Sequence, residues 1–411
     1  MLEFIQYQLF GFLSTGFGGI LEGLSSVYPL IILVGVAAFA WRAWKRYIKA
    51  DFISKMQWVV LEIKLPKETF KSPKAMEIVL GAFYNSPGVN VYDENYTGKI
   101  RPWSSLEIVS INGSVHFLMR ILTSDRVTVE AHIYSQYPTA EIHEMADYVY
   151  NVPFLAPDSK WQMFGTEIKL TKEDAYPIKT YVDFGLDKDP KEEFKVDPIT
   201  ATLEFMGSIG QGEQVWMQIN IIAAQKRFHK PGTWFQYQDW QADSRVILDK
   251  LLKRDKLKES AVFSNEILLS PGERGVVEAI ERQVSKLGFD CGIRMMYLAD
   301  EGKFKPANIG GLMSCLKQYN SLNLNGFKPS GVTKFNPWED PFGKRIIAYK
   351  KYLFEAYCKR GWFYPPYDRV PFVLNTEELA TIYHFPGAVA ATPTFGRSES
   401  KRGEAPVNLP I

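Results

Sequence analysis

The stretch Ser105–Leu122, SLEIVSINGSVHFLMRIL, decides the fold because it holds two strands and the turn that joins them. Residues 105–111 and 115–122 are both predominantly apolar runs of strand length. Asn112-Gly113 stands between them, and this pair favours a two-residue turn because both residues tolerate positive φ. The stretch therefore predicts a β-hairpin.

The segments on either side extend the hairpin into an α+β unit. Trp58–Leu65 predicts a strand, Ser72-Pro73 opens a helix, and Ala140–Met145 predicts a last strand. Residues 125–135 fit either a strand, by their alternating apolar residues, or a helix. A helix would cover the same face of the sheet as the first one. The order is then βαββαβ, which is the ferredoxin-like arrangement.

A similar series of elements follows, and we expect a second ferredoxin-like unit. The sequence Ser270-Pro271-Gly272-Glu273 is a capping box with proline at the first helical position. The second unit rests on element order alone, because the two halves share no repeated sequence. Its predicted elements are a strand at 165–170, a helix at 197–209, a strand at 214–223, an inserted helix at 240–258, a helix at 270–287 and a strand at 289–298.

An apolar segment near the N-terminus, Gly23–Trp41, predicts a transmembrane helix. Basic residues follow it at once, so the positive-inside rule places the rest of the chain on the cytoplasmic side of the cell membrane. We expect a single-pass anchor, with the lipid bilayer as a partner. The side chains expected at the membrane interface are Trp41, Arg42, Trp44, Lys45 and Arg46.

Taken together, these patterns predict an α+β protein with an N-terminal transmembrane helix, two ferredoxin-like units, a helical C-terminal part and an extended tail. The predicted boundaries are 1–22 for an interfacial or re-entrant segment, 23–41 for the transmembrane helix, 42–55 for a basic juxtamembrane linker, 56–152 for the first unit, 160–300 for the second unit with a helical insertion at 226–262, 301–387 for the helical region and 388–411 for the tail.

Composition and motifs give no indication of catalysis. The net charge of +2 argues against nucleic acid as the main ligand. The three Gly-Lys pairs are followed by Ile100, Phe304 and Arg345, so none completes a phosphate-binding P-loop. His143-Glu144 has Asp147 where a zinc-protease motif needs its second histidine. We therefore predict no enzyme activity, no catalytic residue, no cofactor and no metal site.

Two loops combine aromatic and basic residues, 226–240 and 359–372. Such loops suit single-stranded nucleic acid, protein partners or plain packing, and the sequence leaves these three readings open. In the second loop, the candidate contact residues are Arg360, Trp362 and Tyr364.

The segment Leu374–Gly387, LNTEELATIYHFPG, begins with Asn375 and Glu378 in a variant of the capping box. It resembles the segment that precedes the motor in HerA/FtsK-like ATPases of conjugation and type IV secretion. The stretches Asp197–Ile221 and Leu268–Ala299 are similar to the same membrane-proximal, non-motor region. Members of that family also have the βαββαβ order, which favours a helix at 125–135.

The resemblance implies a non-catalytic assembly or docking component of a secretion or conjugation system, which positions a separate P-loop ATPase. Because such motors act as rings, we also expect a homo-oligomer. The alternative is a single-stranded nucleic-acid-binding module of a DNA transfer or uptake channel. The residues expected to dock the motor are Asn375, Glu377, Glu378, Tyr383, His384 and Phe385.

Overall fold

The computed structural model describes residues 2–66, 71–84, 88–188, 196–228, 237–252, 269–333 and 338–386, and the backbone alone of 2–27, 31, 227, 228 and 237. The chain forms two compact units. The first contains Met1–Met56 and Gly88–Ile100, and the second contains Gln57–Pro87 and Arg101–Ile411. The predicted tail at 388–411 and much of the predicted insertion at 226–262 lie outside the described residues.

The first unit is a long helix with a short segment packed on it. Helix α1 spans Leu2–Lys55, and a π-helical turn spans Asp93–Thr97. Lys49 donates to Glu94 at 2.7 Å, and the Trp41 and Tyr96 rings meet edge to face at 6.1 Å. Gly98 follows the turn with φ +70°, and a Cβ there would lie 2.3 Å from the Ile48 carbonyl oxygen. Only glycine therefore allows this close approach.

The structure corrects the predicted membrane anchor. Among the residues it describes, no helix is long and apolar enough to cross a bilayer. The transmembrane helix predicted at 23–41 and the membrane localisation are therefore wrong. The lipid bilayer as a partner stays a prediction.

The second unit is built on one continuous antiparallel sheet. Within the described residues the sheet has nine strands, ordered β10-β5-β9-β6-β2-β3-β1-β4, and β11 also pairs with β9. A separate two-stranded ribbon pairs β7 with β8. The strands are β1 Trp58–Lys64, β2 Ser104–Ile111, β3 Ser114–Leu122, β4 Glu141–Glu144, β5 Gln162–Leu170, β6 Glu213–Ala223, β7 Arg227–Phe228, β8 Tyr237–Gln238, β9 Gly288–Ala299, β10 Phe327–Val332 and β11 Phe372–Asn375.

Helices cover both faces of this sheet. The larger apolar core lies on one face, under α2, α3, α4, α7 and α9, and a second apolar cluster lies on the other face, under α8. Helices α5 and α6 pack on each other. The helices are α2 Pro73–Leu80, α3 Arg126–Gln136, α4 Ile199–Gly207, α5 Trp240–Leu251, α6 Pro271–Val284, α7 Pro306–Ser314, α8 Lys344–Cys358 and α9 Thr376–Ile382.

The sheet contains the same strand order twice. In the first half the order is β2-β3-β1-β4, and in the second half it is β6-β9-β5-β10. Each half follows a βαββαβ series, in which α2 and α3 belong to the first half and α4 and α7 to the second. The ambiguous segment at 125–135 is thus the helix α3. The halves join where β2 pairs with β6 in an antiparallel seam, from Ser104 opposite Ile221 to Ile111 opposite Gln214.

The predicted fold is wrong in three further respects. The second half does not end at residue 300, because its last helix and strand are α7 and β10. Helices α5 and α6 lie between β6 and β9 and form the insertion, whereas the prediction used the α6 region as a core helix. The region 301–387 is not only helical, since it contains β10 and β11.

Candidate functional site

A row of buried polar side chains crosses the sheet on the face covered by α8. Glu167, Arg294, Gln218 and Glu107 lie directly opposite one another on β5, β9, β6 and β2. All four are buried. We call these four residues the polar row. Because charges inside a protein are costly unless they are paired, the row requires partners from the layer above it.

Arg360 is the main partner at the seam. Its Nε and Nη2 donate to the two carboxylate oxygens of Glu107 at 2.9 and 3.1 Å. The same guanidinium donates to Asp147 at 2.6 and 2.9 Å. Burial alone would raise the pKa of Glu107, but Arg360, Ser105 and Tyr148 lower it to about 2. Glu107 is therefore a permanently ionised, fully satisfied carboxylate.

Arg360 reaches this position through an unusual backbone conformation just after α8. Its φ is +50°, a region in which glycine or asparagine is usual at the end of a helix. The next residue, Gly361, donates its N–H to the Ala356 carbonyl at 2.9 Å and closes the helix end. With this left-handed conformation the guanidinium points towards the sheet, and the hydrogen bonds to Glu107 and Asp147 offset the backbone strain.

A second ionic group holds the other end of the row. Arg294 donates to Glu167 at 3.0 and 3.1 Å and also to the carbonyls of Ala356 and Gly361. Arg369 donates to the second Glu167 oxygen at 2.9 Å. The Trp362 ring covers Arg294 at 4.6 Å. The layer that contains α8 is thus fastened to the sheet by charge-assisted hydrogen bonds at two points.

The centre of the row is sealed by tyrosines. Tyr148 donates to Glu107 at 2.8 Å and lies 2.8 Å, oxygen to oxygen, from Tyr357. Burial, with the Glu107 charge, raises the pKa of both tyrosines well above the ordinary value. Both phenols therefore stay protonated. Glu107, Gln218 and Arg294 are fully enclosed, so a substrate could touch these three only if the α8 layer lifted.

The structure buries two of the three side chains predicted to contact nucleic acid or a partner. Arg360 and Trp362 lie in the interior, and Tyr364 is half-buried, with its hydroxyl donating to the Arg101 carbonyl at 3.0 Å. A contact surface built on Arg360 and Trp362 is therefore not present in this fold. Of the other aromatic-basic loop, residues 229–236 lie outside the described part of the chain.

The six residues predicted to dock a motor are all buried as well. Asn375 and Glu378 form the predicted capping box, with the Glu378 N–H donating to the Asn375 side chain at 2.8 Å. Glu377 accepts from Thr180 and is paired with Lys286 at 2.8 Å. The segment Leu374–Phe385 thus belongs to the core, and it exposes none of these side chains to a partner.

The last three of those residues close the larger core. The Tyr383 hydroxyl donates to the Leu118 carbonyl at 3.0 Å, and Phe385 packs against Phe117 and Tyr137. His384 lies 3.0 Å from the Asp197 carboxylate. Burial alone would lower the pKa of His384, but the Asp197 charge raises it.

The five side chains predicted for a membrane interface lie on α1. Lys45 is half-buried and the other four are exposed. The Lys45 ammonium lies 6.0 Å from the Trp41 ring. The membrane-interface role of Trp41, Arg42, Trp44, Lys45 and Arg46 stays a prediction.

Metal binding finds no support in the described part of the chain, where no three His, Cys, Asp or Glu side chains converge on one point. A cavity of about 800 Å³ lies beside Glu167, Trp362 and Arg369, where β11 replaces β5 next to β9. Its wall carries both basic and acidic side chains, so it does not select a ligand by charge.

Sequence reasoning missed an exposed aromatic cluster before α8. Trp338 is 94% exposed and Phe342 is 84% exposed, and both precede the basic start of that helix. Local composition could have suggested it, since Trp338, Phe342 and Ile347 are spaced closely around Lys344 and Arg345.

Fold and site together define an α+β protein with an internally duplicated antiparallel sheet, whose buried charges bind its layers together. The chain belongs to a family described as a domain of unknown function (DUF8128), whose model matches residues 53–397. No curated protein matches the sequence.

Proposed function

We propose that this protein is a non-catalytic assembly component of a type IV secretion or conjugation-like translocation system, in which it binds and positions a separate P-loop ATPase of the HerA/FtsK type. The observation that carries the proposal is the sealed polar row. Its charged groups, which are the groups best suited to acid–base catalysis, instead form ion pairs within the body of the protein, and Arg360 pairs the loop after α8 with the sheet. A rigid body of this kind suits a scaffold.

The resemblance to the non-motor region of these ATPases adds support, because it falls on central elements. Asp197–Ile221 contains α4 and most of β6, and Leu268–Ala299 contains α6 and β9. These elements form the second half of the sheet and the helices next to it. The similar residues are therefore those that build the body and not those of one surface loop.

The alternative, a nucleic-acid-binding module, is not taken further. It relied on Arg360 and Trp362 as exposed contacts, and both side chains are buried. Homo-oligomer formation stays a prediction, and sedimentation of the purified chain measures it.

The test is a direct binding measurement between the purified full-length chain and a purified HerA/FtsK-type ATPase from the same cell. We expect a saturable complex, and we expect the chain alone to hydrolyse no ATP. Failure of the two proteins to associate, or ATP hydrolysis by the isolated chain, would sink the proposal.

A further inference from the structure

Three large apolar side chains face solvent around the start of α8. Trp338, Phe342 and Ile347 are 94%, 84% and 55% exposed. We call these three residues, together with the exposed Lys344 and Lys351, the aromatic–basic patch. Single exposed apolar residues are common, but several together with a tryptophan are typical of an interaction surface.

A hydrogen-bonded turn holds this patch in place. The Asp340 carboxylate accepts the Ile346 N–H at 2.8 Å, and its carbonyl accepts the Gly343 N–H at 3.2 Å. Gly343 has φ +66°, which lets the chain enter α8 directly after Phe342. Because the turn is already fixed by hydrogen bonds, this surface would lose little conformational entropy when a partner binds.

One face of α8 packs against the sheet, so the other face is held towards solvent. Leu353, Phe354 and Tyr357 are buried against the sheet. Lys344, Ile347 and Lys351 follow at spacings of three and four residues and share the exposed face. Lys344, Ile347 and Lys351 therefore form one stripe on α8 with an apolar centre and basic ends, and Phe342 and Trp338 precede its N-terminal end.

The charge of this stripe selects the partner. The run 344–351, KRIIAYKK, holds four basic residues and no acidic one, whereas Glu339 and Asp340 precede the helix, and the Asp340 carboxylate accepts the Ile346 N–H. A basic partner would repel the exposed Lys344 and Lys351 ammonium groups, whereas carboxylates complement them. Apolar groups are also needed, because an acidic but fully polar segment would leave Trp338 and Phe342 in water.

We propose that the aromatic–basic patch docks an acidic amphipathic segment of the partner protein. Apolar residues of that segment cover Trp338, Phe342 and Ile347, and its carboxylates face Lys344 and Lys351. The inference rests on the proposed function, for which it names the contact surface and the chemistry of the partner.

The experiment uses the full-length chain and two synthetic helical peptides with the same apolar face. One peptide carries Glu on its polar face and the other carries Lys at the same positions. Fluorescence anisotropy of labelled peptide measures the affinity. We expect the Glu peptide to bind about tenfold or more tightly than the Lys peptide, with an affinity that falls as salt rises.

Variants of the chain locate the contact. Trp338→Ala with Phe342→Ala should weaken binding of the Glu peptide about tenfold or more. Lys344→Glu with Lys351→Glu should abolish the preference for the Glu peptide. The control, Leu322→Ala with Val127→Ala, removes two side chains that are 98% and 77% exposed elsewhere, and it should leave binding unchanged.

Several results would overturn the inference. One is equal binding of the two peptides, and another is an equal loss in the patch and control variants. Self-association that disappears in Trp338→Ala with Phe342→Ala would assign the patch to a second copy of this chain instead. If the ATPase binds and the patch variants retain that binding, the patch inference fails but the proposed function stands. If the Glu peptide binds as expected but the ATPase does not, the proposed function fails, and the patch retains its preference for an acidic amphipathic segment.

Discussion

At the scale of single residues, Arg360 shows how a buried charge is tolerated in this protein. Its guanidinium is completely enclosed, yet it bonds to both oxygens of Glu107 and both oxygens of Asp147. Burial opposes its charge, but these two carboxylates raise the pKa of Arg360 well above the ordinary value. These bonds fix the loop after α8 to the seam of the sheet. Removal of Arg360 would leave Glu107 unpaired in a closed interior and Asp147 unpaired at its edge.

Arg360→Ala should therefore destabilise the protein strongly. We expect a loss of about 3–5 kcal/mol in the free energy of unfolding, because Glu107 stays buried without its partner. Urea titration followed by circular dichroism measures the loss. Adding Glu107→Gln to Arg360→Met should recover part of it, since both charges are then absent. A loss no greater than that of the exposed Lys359→Ala would contradict the assignment.

The sequence singled out Arg360 and Trp362 correctly as unusual, but it could not show that they point inward. An aromatic-basic loop looks the same whether it faces solvent or a covered sheet. Trp362 lies flat over Gly292, where a Cβ would come within 2.0 Å of the indole. That contact joins residues far apart in the chain, and no local pattern encodes it.

At the scale of secondary structure, the sequence predicted correctly those turns and helix ends that depend on local backbone conformation and capping. The Asn112-Gly113 turn forms with positive φ at both residues, and the capping boxes at Ser270 and Asn375 are present. Strand β10 was missed because Pro329 and Gly331 are unfavourable in strands. It is an edge strand with an irregular register, which is where proline is tolerated.

The polar row could not be predicted because it depends on strand register. Glu107, Gln218 and Arg294 each lie in a strand that carries other polar residues too, so no local pattern marks them out. Only the pairing of β2 with β6 and of β6 with β9 brings them opposite one another. A shift of one residue would turn every one of them to the other face.

The C-terminal segment predicts a pH dependence of stability. Burial raises the pKa of Glu378 to about 8, from an ordinary value of 4.5, although the N–H groups of Asn375 and Ile178 favour its charged form. The folded state thus binds this proton more tightly than the unfolded chain. The contribution of Glu378 is complete below about pH 4.5 and is lost as the pH rises to about 8.

Glu378→Gln should remove this dependence, because Gln also suits the capping box and does not titrate. We expect the wild type to lose more stability than the variant between pH 5 and pH 8, with a difference on the order of a few kcal/mol. Urea titrations at several pH values measure it. The exposed Glu204→Gln is the matched control, and parallel pH profiles for wild type and Glu378→Gln would refute the prediction.

At the scale of the whole second unit, the seam between β2 and β6 makes the two halves share one sheet. From Glu107 at the seam, the register leads to Leu118 on β3 and then to Glu62 on β1. From Gln218 on the other side of the seam, it leads to Arg294 on β9 and then to Glu167 on β5. The third strand on each side therefore carries a glutamate. Glu62 is held by His116 at 2.6 Å, and Glu167 is held by Arg294. The halves thus match in layout but differ in the side chains that hold the two glutamates.

A continuous sheet should unfold as one cooperative body. Ile293→Val removes one buried methylene group from β9 and should cost about 1 kcal/mol. We expect amide exchange in β3 and in β5 to become faster by the same factor, although β3 lies in the other half. Hydrogen exchange with mass spectrometry under mild denaturant measures both. Acceleration confined to the second half would mean that the halves unfold separately.

The seam has one more consequence, which concerns concentration. Two separate chains that met edge to edge would associate in a second-order step and would come apart on dilution. Here both strands belong to one polypeptide, so their meeting is unimolecular and is governed by an effective concentration set by the connecting chain. The junction of β2 with β6 is therefore as well formed in a very dilute solution as in a concentrated one.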